Sequence, residues 1–145
     1  MDIDTQPAAA EPALPALIGA LIAHSRSRPF DWGVHDCCTF AGRAVQVQTG
    51  HDPLAALAWF SEIDAARLLR DLGGLRAAVT AALGQPIEPL LARAGDVVLA
   101  TDPHDATHRH LLTVCHGGVL LVPGALGLVA LPITAGLCAW RVTRA

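Results

Sequence analysis

The chain is expected to fold as an α+β domain with an antiparallel sheet. Three observations carry that expectation: apolar residues recur at helical spacing through the first half, short β-rich runs follow Pro89, and helices and strands do not alternate. A parallel sheet needs repeated βαβ crossovers, which this segregated order cannot supply. With 145 residues there is room for one core rather than two. A single domain is therefore expected over residues 14–145, behind an extended lead-in at 1–13 of mostly Ala, Pro and acid. Hydrophobic residues at 52% against charged residues at 16% exclude a disordered chain and leave much apolar surface to cover.

The elements follow in order. Leu14, Leu17, Ile18, Leu21 and Ile22 predict a first amphipathic helix ending near His24 or Ser25. Arg26 to His35 holds Pro29, Phe30, Trp32 and Gly33, a loop whose aromatics anchor it to the body. Asp36 is a suitable N-cap for a second helix running to about Gln48 and closed by Gly50, with Cys37, Phe40, Ala41, Ala44 and Val45 on one face. A short segment from Asp52-Pro53 to Trp59-Phe60 leads to a helix through Leu69, opened by Ser61 with Asp64 and stopped by Gly73-Gly74. Leu75 to Leu83 predicts a further helix, ended by Gly84 and Pro86. The β-rich runs are Asp96 to Ala100, Leu111 to Cys115, Val119 to Val122, Leu128 to Leu131 and Cys138 to Val142.

Charge and composition exclude several function classes. A formal net charge of -3, with every basic residue an Arg, offers no broad electropositive face for a phosphate backbone, so no nucleic-acid partner is expected. Met1 to Glu11 carries Asp2, Asp4 and Glu11 without a basic n-region and does not read as a secretory signal. Leu14 to Ala23 is about half of the ~20 apolar residues that a membrane span requires. Four cysteines in such a chain suggest a reducing compartment, where a thiol serves as nucleophile, ligand or core residue rather than in a disulfide.

The most informative stretch is Phe30-Asp31-Trp32-Gly33-Val34-His35-Asp36-Cys37-Cys38-Thr39-Phe40. A cysteine in the first turn of a helix sits among unpaired backbone N–H groups and at the positive end of the dipole, and both favour the thiolate. Cys37 shares its helical face with Phe40 and Ala44, which aims its sulfur at the sheet, where a strand could supply a histidine base. Cys38 is rotated by about 100° and is the weaker nucleophile candidate. The bland alternative, that both are small buried hydrophobes, stays open on spacing alone.

Asp36-Cys37 preceded by Trp32-Gly33 and followed by Phe40, the run Ala94-Gly95-Asp96-Val97-Val98-Leu99, the Gly117-Gly118 turn and the closing Ala139-Trp140-Arg141-Val142 together resemble small phage and prophage proteins related to the NlpC/P60 peptidases. The resemblance spans roughly Leu14 to Val142. It implies a papain-like fold, N-terminal helices packed on a C-terminal antiparallel sheet or partial barrel, with Cys37 as nucleophile and His110 as the candidate base. It further implies a structural place in a viral tail tip or baseplate, beside hub, distal-tail and central-fibre proteins. The competing expectation is a cysteine endopeptidase that opens peptidoglycan cross-links during DNA entry.

The family pattern is incomplete in one region. Counting back from Gly117 to the family's histidine position lands on Leu111, with His110 one residue early, and a one-residue slip sends a strand side chain to the other face unless a bulge intervenes. The third polar group is expected at the start of the next strand, where Leu121-Val122-Pro123 supplies none. Asp102, His104, Asp105, His108 and His110 cluster in one loop, but their spacing matches no standard zinc pattern. Cys37, Cys38, Cys115 and Cys138 are poorly spaced for an iron–sulfur cluster. No metal or cofactor is therefore expected. Trp32 and Trp140 are expected as buried anchors, Trp32 having a groove wall as its alternative. Val119 to Ile133 is nearly all apolar, which predicts a sheet covered on both faces, by another subunit or by barrel closure.

Overall fold

The computed structural model describes residues 14–55, 67, 74–106 and 109–142. The expected lead-in at 1–13, the Trp59-Phe60 segment end, the helix from Ser61 through Leu69 apart from Arg67, and His108 lie outside the described residues. Among those described, three α-helices precede a five-stranded antiparallel sheet. The helices are α1 (Leu14–Ser25), α2 (Cys37–Thr49) and α3 (Leu75–Leu83). The strands are β1 (Val97–Thr101), β2 (His110–His116), β3 (Val119–Gly124), β4 (Gly127–Pro132) and β5 (Gly136–Trp140), in the spatial order β4-β3-β2-β1-β5. The protein is thus α+β.

Helical periodicity decides what each helix buries. On α1, Ile18, Leu21 and Ile22 are buried at i, i+3 and i+4, and on α2 Phe40, Ala41, Ala44 and Val45 are buried at i, i+1, i+4 and i+5, again one face. They meet Val97 and Leu99 of β1, Leu112 and Val114 of β2, and Cys138 and Trp140 of β5 in one continuous core. Small residues at 41 and 44 let α2 lie close to the sheet. Helix α2 ends where Gly50 turns left-handed at φ +83°, its amide donating to the Gln46 carbonyl.

The opposite face of the sheet carries Val98, Ala100, Cys115, Leu120, Val122, Leu131 and Ala139. It is covered by the chain itself: Ile87 and Ala92 pack on it from before β1, and Ile133 and Ala135 from between β4 and β5. The apolar stretch from Val119 to Ile133 therefore finds much of its cover within the chain. Val129 and Ala130 remain exposed on β4.

Two of the motifs that carried the family resemblance have structural duties. Gly117 and Gly118, at φ +60° and +82°, form the two-residue turn between β2 and β3, a geometry that demands positive φ at both positions. Asp96, almost fully buried, opens β1: one carboxylate oxygen accepts from the Arg93 amide at 2.8 Å and the other from the Val142 amide at 2.9 Å. That ties the start of the sheet to the segment just after β5. Gly95 before it has φ +92°, and a Cβ there would run into the Gln48 side chain, whose amide donates to both Ala44 and Gly95 carbonyls. No helix among the described residues is long and apolar enough to cross a membrane.

Candidate active site

The loop before α2 is clasped onto the helix start by one carboxylate. Asp36 is the N-cap: its Oδ1 accepts from the Thr39 amide and its Oδ2 from the Gly33 amide, both at 2.8 Å. Its own amide donates to Thr39 Oγ1 at 2.7 Å, completing a capping box in which Thr replaces the usual Glu. Asp31 and His35 close the loop with a bridge, and Gly33 takes φ +77° within it. The spacing Trp32-Gly33 to Asp36-Cys37 is thereby explained. It fixes the place and orientation of Cys37 at the first helical position.

The helical ladder begins with the Phe40 amide bonded to the Asp36 carbonyl, so the amides of Cys37 and Cys38 lie ahead of it. Cys37 is partly buried and Cys38 almost wholly so, their sulfurs 3.9 Å apart. The Cys37 thiol is held below its ordinary value, chiefly by its hydrogen bond with the Cys38 thiol, with help from the Leu112 backbone and Arg109 and against burial and Asp36. The Cys38 thiol is pushed well up by its contact with Cys37 and by burial. Of the two sulfurs, Cys37 is therefore the one whose thiolate is favoured.

Cys37 and Cys38 border an open pocket of about 660 Å3. Phe30 and Trp32, packed edge to face at 4.8 Å, form one wall; Val122, Pro123, Gly124, Val129 and Leu131 form another. Asp102, His104, Arg109 and His110 supply its polar part. Arg109 stands 3.9 Å from Asp102 and 3.8 Å from Asp105, so this loop carries both signs of charge. Trp32 is a half-buried pocket wall rather than the wholly buried anchor expected, since its partner Phe30 lies in the same exposed loop. Trp140 is the buried anchor, its Nε1 donating to Thr80 Oγ1 at 3.3 Å.

The strand register corrects the expectation for His110. β2 pairs with β1 without a break from Val97↔Val114 to Thr101↔His110. Leu112 and Val114 pack toward the helices, and alternation puts His110 on their side, the side of α2, with no bulge required. The motif count from Gly117 misjudged the face because the inward parity of β2 is set by its packing on α2. His110 and Cys37 thus line one pocket. No hydrogen bond joins them: among the described residues, the side-chain partner of the Cys37 sulfur is Cys38. Nor do any three His, Cys, Asp or Glu side chains among the described residues form a metal-binding group.

The model of the family described as a domain of unknown function, DUF6950, matches residues 11–142. The chain belongs to DUF6950. No curated protein and no solved structure matches it. In this DUF6950 domain the match runs over the whole architecture just described, from α1 through the end of β5.

One buried residue just ahead of α2 was not singled out by sequence. His35, fully buried just ahead of the cap, places Nδ1 3.3 Å from an Arg43 nitrogen, packs against Phe40, and its Nε2 has no partner among the described residues. Arg43 also donates to the Val34 carbonyl. Burial, then Arg28 and Arg43, push the His35 pKa below its ordinary 6.5, against the pull of Asp36. Above pH 6.5 both folded and unfolded chains hold this ring neutral; below it the unfolded chain takes the proton first. Stability contributed by neutral burial is therefore lost as pH falls from 6.5 toward the folded-state value. Urea midpoints at about pH 7.5 and about pH 5.5 should fall more for the wild type than for His35→Gln, and equal falls would contradict this account.

Proposed function

We propose that this DUF6950 chain is a component of a bacteriophage or prophage-derived tail tip, built on a papain-like NlpC/P60-type domain whose cleft at Cys37 cuts peptide cross-links of peptidoglycan. The observation that carries the enzymatic part is that Cys37, at the start of α2, and His110, at the start of β2, line the same pocket. A thiol held low at a helix N-terminus carries a larger share of the nucleophilic thiolate than a free one. It attacks the scissile carbonyl carbon; the amides of Cys37 and Cys38, free of the helical ladder, receive the oxyanion. The proton that Cys37 releases is taken up by His110, which gives it to the leaving amine; His110 then takes a proton from the water that attacks the thioester, and the acid departs as the C–S bond breaks and the Cys37 thiolate is restored. Hydrogen bonds between base and nucleophile are often long in unliganded sites and tighten around substrate.

The tail placement rests on the motif resemblance that runs from Leu14 to Val142, and puts hub, distal-tail and central-fibre proteins as neighbours in the virion. A second reading, a tail subunit that cuts nothing, is favoured by one specific feature. The β3 wall of the pocket is Val122, Pro123 and Gly124, which give His110 no polar group to hold its tautomer. Incubation of the purified protein with peptidoglycan sacculi separates the two. Release of soluble fragments bearing new free amines supports the peptidase; its absence, with tails failing to form when the gene is deleted, supports the structural subunit. Normal, infectious tails without the gene would overturn the tail assignment itself.

A further inference from the structure

We propose that Cys38 is a positioning residue for Cys37: its S–H donates to the Cys37 sulfur and keeps that sulfur ready to attack, a task usually given to a neighbouring imidazole. The inference rests on the reading of Cys37 as the nucleophile. Three features of the site carry it.

The two sulfurs are 3.9 Å apart, within the reach of an S–H···S contact, whereas no imidazole among the described residues bonds to Cys37. Their environments are unequal. Cys38 is 3% exposed and belongs to the apolar core with Phe40 and Ala41, where a thiolate would be poorly solvated. Cys37 opens to the pocket, sits at the positive end of α2, and has the Leu112 backbone as a further donor. The proton therefore belongs on Cys38 and the charge on Cys37. Adjacent positions on a helix normally point about 100° apart, so mutual contact requires both side chains to turn toward each other. A cysteine serving only as a small core residue has no need of that geometry.

The experiment is the pH profile of Cys37 alkylation by iodoacetamide in the full chain, read by mass spectrometry of the peptide containing residue 37. The expected wild-type midpoint lies below the free-thiol value of about 8.5. Cys38→Ala removes the donor and should raise the midpoint by about one pH unit, slowing alkylation about tenfold well below it. Cys38→Ser keeps a donor of similar size and should restore most of the difference. His110→Ala should leave the midpoint where it is. Ala and Ser differ by one hydroxyl, so a gap between them reports hydrogen bonding and not packing. Should Cys38→Ala lose its native circular dichroism, Cys38→Val serves as the donor-free variant. Equal profiles for wild type, Ser and donor-free variants would overturn the proposal, as would a wild-type midpoint at the free-thiol value. Alkylation does not depend on turnover, so a protein that shows these shifts but cuts no peptidoglycan would defeat the peptidase reading alone.

Discussion

Cys37→Ala is expected, on the proposed peptidase reading, to stop release of peptidoglycan fragments, a loss on the order of a millionfold that falls below detection, with the fold retained. Position 37 is the first turn of α2, where Ala is a good helix former and the cap is made by Asp36 and Thr39 rather than by the thiol. His110→Ala is expected to cost less, about 100- to 10,000-fold, the usual contribution of a general acid or base. The order follows from the site. The Cys37 thiol is held low by Cys38, Leu112 and Arg109, none of which is the imidazole, so the nucleophile survives loss of His110 while protonation of the leaving amine does not. Initial rates of amine release, with melting curves of both variants, check this. Equal rates for Cys37→Ala and wild type would refute the assignment of the nucleophile.

Trp140→Ala should produce the largest loss of stability, about 3–5 kcal/mol, the cost of emptying a buried aromatic site. Trp140 is fully buried in β5 opposite Val97, and its indole N–H reaches across to Thr80 on α3, so it joins sheet to helix. Against a total of about 5–15 kcal/mol for a domain, this brings the variant close to unfolding. At about 3 °C per kcal/mol for a chain of this size, the melting temperature should drop by about 10 °C. Trp140→Phe keeps most of the ring and loses the bond to Thr80, and should cost about 1–2 kcal/mol. A urea titration giving less than about 1 kcal/mol for the alanine variant would show that α3 is not held by this residue.

Much of the fold was legible because local patterns carried it. Asp36 and Gly50 bracket α2 through capping chemistry that depends on a handful of neighbouring residues. All five strands lie within two residues of the runs read from β-rich composition. The site was less legible. Asp36 was readable as a cap, but its hold on Gly33 was not, because that bond depends on how the loop folds back. His35 passed unnoticed because nothing in its neighbours foretells that an imidazole will be wholly buried. Arg109 and Asp102 entered the pocket only once the loop before β2 had its shape.

By itself, then, the order of residues determined the α+β class, the helix that opens at Asp36, the glycine turn at 117–118 and the presence of a thiol at a helix start. Capping, turn geometry and periodicity act over a few residues, so they are written where they act. Tertiary structure alone decided that His110 stands on the α2 side of β2 and that Trp32 walls a pocket. Those outcomes depend on strand register and on packing between segments tens of residues apart, where no local rule reaches.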